Sequence, residues 1–304
     1  MEKRKIGALD VSVVGLGCNN FGWLQDEAAS KQVIDAAIDA GITLLDTADI
    51  YGGTQSESIL GRALRGRRDR VVLATKFGMQ VDEQRKGAKP DYIRRAVEDS
   101  LQRLQTDYID LYQLHTPDPE VPIADTLGAL DELVRAGKVR EIGCSNFSAE
   151  QLREAQAAAA NKAHFVSVQN QYSLLHREPE QTVLPACEQL HIAFLPYFPL
   201  ASGLLTGKYR KGQPVPGGSR IDSEPYFKDM LSDANLDRVE KLLAFAQDRG
   251  HTLLELAFSW LLSHTAVASV IAGATKSQQI QNNVKAAGWI LSADELQEID
   301  RILV

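Results

Sequence analysis

The sequence predicts an α/β fold, a parallel sheet with its helices on the outside. Two observations carry that reading. Short apolar runs bounded by turn residues alternate with amphipathic segments along the whole chain, and the alternation repeats eight times. Strict β–α alternation calls for parallel strands, because right-handed crossovers bring each strand back in the same direction. Eight units favour closure into a (β/α)8 barrel. A doubly wound open sheet uses the same repeat, so the count by itself leaves that topology open.

Taken in order, residues 13–17 form the first strand and 28–40 its helix, with Val33, Ile34, Ala37 and Ile38 at helical spacing. Strand 43–45 leads to helix 57–64, strand 71–75 to helix 91–104, strand 109–114 to helix 123–135, and strand 139–143 to helix 149–160. Strand 165–168 precedes helix 180–190, strand 192–196 precedes a later helical region, and strand 268–272 precedes helix 277–287. Punctuation agrees with these bounds. Ser148 with Gln151 three residues on has the pattern of a capping box, and Gly41 and Gly137 follow helices at C-terminal cap positions. Residues 198–235 are too long for an ordinary βα connection and contain Pro214-Val215-Pro216-Gly217-Gly218, the mark of a lid or a mobile surface loop. The glycines of GLGCNNFG after the first strand have the wrong spacing for a dinucleotide fingerprint.

Composition narrows the function classes. The chain has 304 residues, 44% hydrophobic and 24% charged, which excludes a largely disordered protein. At ~150 residues per domain the length suggests two domains, but an α/β barrel reaches it as one, so one domain over 1–304 is expected. With 33 Lys+Arg against 40 Asp+Glu the net charge is −7, which argues against a nucleic-acid or anionic-membrane surface. Cys18, Cys144 and Cys187 are scattered and form neither a disulfide framework nor a metal-ligand spacing. The N-terminus lacks the apolar core of a signal peptide, and the most apolar stretch, 253–274, carries Glu255, Ser259, Ser263 and His264. A soluble, cytoplasmic protein is expected. Oligomeric state is not readable.

The polar residues stand at informative places. Asp46, Lys76, His115, Ser145-Asn146, Gln169 and Tyr197 each end an apolar run. In a parallel barrel those ends converge on one face, where active sites are built. A Lys beside a Tyr favours the phenolate and eases proton donation. An Asp paired with that Lys keeps it charged and oriented. A nearby His can hydrogen-bond a substrate oxygen, so the set suits protonation of a carbonyl oxygen while a hydride arrives at carbon. Lys76 as a Schiff-base nucleophile is the competing chemistry for a lysine in a barrel.

Specific motifs in order give the chain a resemblance to the aldo-keto reductases, of the bacterial and potassium-channel-β-like branch. They are Leu45-Asp46-Thr47-Ala48-Asp49-Ile50-Tyr51-Gly52 with Ser56-Glu57; Ala74-Thr75-Lys76-Phe77-Gly78; Asp107-Tyr108-Ile109-Asp110-Leu111-Tyr112-Gln113-Leu114-His115; Gly137-Lys138-Val139-Arg140 with Ile142-Gly143-Cys144-Ser145-Asn146-Phe147; and Pro199-Leu200-Ala201-Ser202-Gly203-Leu204-Leu205-Thr206-Gly207-Lys208-Tyr209. The resemblance implies a (β/α)8 TIM barrel with an N-terminal β-hairpin, here within 5–14, and reversible carbonyl–alcohol oxidoreduction. Asp46, Tyr51, Lys76 and His115 match the four catalytic positions, with Tyr51 as the general acid or base.

For the cofactor, the resemblance implies an extended nicotinamide dinucleotide. Ser145, Asn146 and Gln169 match the carboxamide holders and Tyr197 the stacking aromatic. Pro199, Leu200, Gly203, Leu205 and Lys208 match the segment over the pyrophosphate, and Gly273, Thr275, Lys276, Gln279 and Asn283 the adenosine end. Cys18 and Asn19 match a further contact. Lys208, Arg220 and Lys276 suit a 2′-phosphate, which favours NADPH/NADP+ and leaves NADH/NAD+ open. Asn282 stands where many members carry Glu, and 272–276 lacks their Pro-Lys-Ser. Channel β subunits carry Asn in place of His115, so the His favours a catalyst over a cofactor sensor or partner subunit. Trp23 and Phe147 are the candidates for contact with a small carbonyl or alcohol substrate.

Overall fold

In the computed structural model, residues 1–223 and 225–303 are described, side chains at 223–227 apart; Glu224 and Val304 lie outside the described residues. The chain opens with an antiparallel hairpin, β1 (Lys3–Ile6) and β2 (Leu9–Ser12). It begins two residues before the expected 5–14, because the chain reverses at Gly7-Ala8. The hairpin seals the N-terminal end of the barrel. Its Ile6, Leu9 and Val11 form a buried layer with Leu44, Ala74, Leu111, Val166, Leu195, Ala268 and Ile271 from the barrel strands or their approaches. Arg4 ties it down by donating to the carbonyls of Leu262 and Val267 at 2.9 and 2.7 Å.

Eight parallel strands then make the barrel: β3 (Val14–Gly17), β4 (Leu44–Asp46), β5 (Val72–Phe77), β6 (Ile109–Leu114), β7 (Val139–Ser145), β8 (Phe165–Gln171), β9 (Ala193–Tyr197) and β10 (Val270–Gly273). They pair in chain order, with β10 returning beside β3. Closure onto β9 comes from the residues just before β10. The Phe194 amide donates to the Ala266 carbonyl at 2.7 Å, and the Phe194 carbonyl accepts from Ala268 at 3.0 Å. This settles the barrel over the open sheet.

Several strands run further than their apolar runs predict: β4 includes Asp46, β5 includes Lys76, β7 includes Ser145, and β8 and β9 include Gln169 and Tyr197. The ladder tolerates these residues because their side chains bond to one another, as described below.

Helices α1 (Glu27–Asp39), α2 (Gln55–Ala63), α3 (Pro90–Leu104), α4 (Ile123–Arg135), α5 (Ala149–Ala159) and α6 (Val183–Leu190) cover the sheet. Ser148 and Gln151 form the predicted reciprocal cap of α5. The predicted helix 180–190 splits: Glu178–Gln181 is a tight 3-10 turn, and Thr182, with φ −141°, separates it from α6. Gly61 lets α2 meet α3 backbone to backbone, since a Cβ there would fall 2.5 Å from the Arg103 carbonyl oxygen. Four more helices complete the wall: the short α7 (Arg220–Ser223), then α8 (Asp233–Gln247), α9 (Leu253–Leu262) and α10 (Ser277–Ala286), with α11 (Ala293–Leu303) at the end of the chain. Among the described residues, no helix is long and apolar enough to cross a membrane.

The excursion 198–235 is packed in part, with residues 211–218 exposed. Leu204, Leu205 and Tyr209 are buried, the Tyr209 hydroxyl accepts from the Ile221 amide at 3.4 Å, and Arg210 forms a forked pair with Glu240 on α8.

Candidate active site

The site lies at the C-terminal ends of the barrel strands and starts from one buried lysine. Strand alternation turns Thr75 toward the helices, where its hydroxyl donates to Glu57 at 2.6 Å, and turns Lys76 into the barrel. There the ammonium, fully buried, places its three protons: on Asp46 Oδ2 at 2.7 Å, on the Thr47 carbonyl at 2.8 Å and toward the Tyr51 hydroxyl at 3.4 Å. Burial pulls the Lys76 pKa down, but Asp46 and Tyr51 outweigh it and the net shift is upward, so the lysine stays charged. Burial also raises the Tyr51 pKa against the opposing pull of Lys76. The resting phenol therefore holds its proton beside a fixed cation.

Asp46 is held from its other side too. Its Oδ1 accepts from Gln113 Nε2 at 3.1 Å and from Gln169 Nε2 at 2.9 Å. Gln113 carries no signal in the sequence, since it reads as an interior residue of an apolar strand.

His115 is buried and stands edge-on to the Tyr51 ring, centroids 5.7 Å apart. Burial, and secondarily Lys76, push its pKa down to about 3, so the imidazole is neutral. Its carbonyl accepts from Asn146 Nδ2 at 3.0 Å. Asn146 also donates to Ser145 Oγ at 3.1 Å and accepts from the Tyr197 hydroxyl at 2.9 Å, while Ser145 Oγ donates to the Gln169 carbonyl at 2.7 Å. Asp46, Tyr51, Lys76, His115, Ser145, Asn146, Gln169 and Tyr197 thus form one connected constellation.

Around this centre the other predicted residues are spread. Cys18 is buried beside the pair, and its backbone amide donates to the Asp46 carbonyl at 2.8 Å. Burial and then Asp46 raise its thiol well above the ordinary range. Asn19 and its neighbour Asn20 lie against Gly273, and Gln25 donates to the Thr275 carbonyl at 3.3 Å. Asn20 and Gln25 escaped the sequence reading; each has a buried oxygen without a partner. Gly203, at φ +98°, lies beneath the Lys208 side chain. Pro199 and Leu205 are buried and Leu200 is partly exposed. Arg220 lies over the Phe198 ring at 5.4 Å. Lys276 is exposed at the start of α10, Asn283 is buried on it, and Gln279 Oε1 caps it by accepting from the amides of Thr275 and Lys276. Trp23 is half exposed, whereas Phe147 is buried and packs edge-on against Phe165.

Behind the Tyr51 segment lies an acidic pair. Glu57 is fully buried on Arg103 at 2.7 Å, and Asp49 bonds only weakly with the Tyr92 hydroxyl, at 3.5 Å. Burial and then Glu57 push the Asp49 carboxyl up to about 7.

Similarity to known proteins follows the same outline. The sequence model of the Aldo/keto reductase family matches residues 13–304. The aldo-keto reductase YhdN of Bacillus subtilis is 39% identical over 304 residues, covering 97% of this chain and 91% of its own. The probable aldo-keto reductase 1 of Glycine max is 34% identical, covering 95% and 85%. The solved glycerol dehydrogenase AKR11B4 of Gluconobacter oxydans superposes with a TM-score of 0.84 at 32% identity, covering 97% of this chain and 92% of that one.

Proposed function

The chain belongs to the aldo/keto reductase family of oxidoreductases, and from that premise we propose that it reduces aldehydes or ketones to alcohols, and the reverse, with NADP(H) and with Tyr51 as the proton donor. The observation that supports this best is the unbroken chain from Asp46 through Lys76 to the Tyr51 hydroxyl at the open end of the barrel.

The donor set suits a nicotinamide cofactor. Amides and a hydroxyl from Ser145, Asn146 and Gln169 gather beside the Tyr197 ring, next to the acid chain. These would hold the nicotinamide end, with Lys208, Arg220 and Lys276 for phosphate and Asn283 for the far end. When bound, the cofactor supplies the hydride. Tyr51 delivers its proton to the carbonyl oxygen, and the charge left on the phenolate is met by Lys76 without any new group having to move. Asp46 keeps that ammonium charged and aimed. Neutral His115 offers a hydrogen bond to the same oxygen and sets its direction. In oxidation Tyr51 accepts the proton instead.

The test is Tyr51→Phe, with cofactor oxidation followed by absorbance across a panel of aldehydes and ketones. Turnover should fall by at least ~10²–10⁴-fold, the range for loss of a general acid, while cofactor binding followed by fluorescence persists. Undiminished turnover sinks the mechanism. The same panel run with NADPH and NADH ranks the cofactors.

A further inference from the structure

One buried side chain touches the acid chain and has no place in the mechanism above. Gln113 is fully buried, and in the register of the sheet it sits directly opposite Lys76 on β5 and Gly143 on β7. Its Nε2 donates to Asp46 Oδ1 at 3.1 Å. Gly143 makes the arrangement feasible: a Cβ there would come within 3.2 Å of Gln113 Cγ and 2.4 Å of Ser167 Oγ. The Gln113 donor reaches Asp46 from inside the barrel. The second donor on the same oxygen, Gln169, belongs to the amide patch proposed to take the nicotinamide end, so its amide is shared between two tasks.

From this geometry we infer that Gln113 is a positioning residue for the reaction, fixing the Asp46 carboxylate so that Lys76 and Tyr51 stay aligned whatever Gln169 is bound to. The inference rests on the proposed catalytic role of Tyr51. A carboxylate oxygen with two amide donors has little freedom to rotate; with Gln169 alone it follows that side chain. A hydrogen bond to a charged group is among the stronger polar contacts, and its loss reaches Tyr51 through Asp46 and Lys76.

Two substitutions separate positioning from mere packing. Gln113→Leu keeps volume and removes the donor. Gln113→Glu restores a donor only while the introduced carboxyl is protonated, because burial and the adjoining Asp46 carboxylate raise its pKa. Expected for Gln113→Leu is a kcat lowered about tenfold at every pH, with cofactor Kd by fluorescence within about twofold of wild type. Gln113→Glu should approach wild-type kcat on the acid side and fall to the level of Gln113→Leu as the introduced group ionises. On cofactor-free protein, infrared difference spectra of Gln113→Glu should show a protonated carboxyl that disappears over the same pH range. A Gln113→Leu enzyme with wild-type kcat overturns the inference. So does a Gln113→Glu pH profile that merely parallels that of Gln113→Leu, or the absence of the carboxyl band. Thermal unfolding of both variants checks that they are folded. If Tyr51→Phe keeps its turnover, the catalytic reading fails; if it is inactive and the Gln113 variants behave as wild type, only the present inference fails.

Discussion

Two buried carboxylates on nearby strands sit at opposite ends of this barrel and lead different lives. Asp46, at the C-terminal end of β4, faces a lysine. Asp110, near the N-terminal end of β6, is 1% exposed and faces two arginines, Arg68 and Arg140, both at 2.7 Å, and the Leu73 amide at 2.9 Å. Arg68 also bonds the carbonyls of Val71 and Tyr108 and stacks over the Tyr108 ring. The lower cluster therefore locks β5, β6 and β7 together with cations that never lose their charge. The upper cluster spends one lysine proton on a long 3.4 Å contact with a titratable phenol at the open face. Ion-pair chemistry alone does not make a site; the loosely held third contact does.

The largest expected effect tests the upper end. The double variant Asp46→Asn/Lys76→Met removes both charges at once, so neither is left buried and alone. Its kcat should fall about 10³-fold, ~4 kcal/mol of activation free energy, while its Tm moves by only a few degrees. A large Tm loss in calorimetry would make the upper pair structural and erase the contrast. At the lower end, Asp110→Ala strands two arginines and an amide. Urea unfolding should show a loss of about 3 kcal/mol, the low end of the range for a broken buried pair because Arg140 is half exposed, with kcat of the folded enzyme within about twofold of wild type. A drop in kcat with intact stability would reverse the assignment.

The smallest effect concerns Asp49. Its folded pKa of about 7 lies above the unfolded value, so the native state holds more protons between about pH 4 and 7. Stability contributed by this group is full below pH 4 and declines as pH rises to 7. Buried His115 has the opposite sign: with a folded pKa of about 3, the unfolded state takes up more protons between about pH 3 and 6.5, and stability rises with pH there. The two slopes oppose each other below pH 6.5. Asp49→Asn should be more stable than wild type at pH 8 by on the order of a few kcal/mol, with the gap closing toward pH 4. Tm measured from pH 4.5 to 8 checks this; a gap that stays constant with pH defeats it.

Much of this was legible along the chain. The eight units, the Ser148–Gln151 cap and the polar residues Asp46, Lys76 and His115 rest on periodicity, cap chemistry or residue type at a strand end, which are local properties. Tyr51, in the turn after β4, was instead singled out by the motif that carries the family resemblance. Gln113 was hidden inside a run of six buried residues, where which side chains point inward depends on sheet register. The Arg68–Asp110–Arg140 lock joins residues 30 and 42 positions apart, and none of the three looks unusual in its own segment. Phe147 stands just past the end of β7 and packs edge-on against Phe165, a contact between residues 18 positions apart that its own segment does not announce.

The sequence by itself determined the alternation, the helix ends and the kinds of group presented at the top of the strands. Only the tertiary structure decided which atoms meet. Gln169 and Asp46 are 123 residues apart and bond at 2.9 Å because closure brings β8 around to face β4 across the barrel. Propensity and periodicity act over a few residues, whereas the reach between strand ends is a property of the closed ring, its stagger and the side chains that fill it.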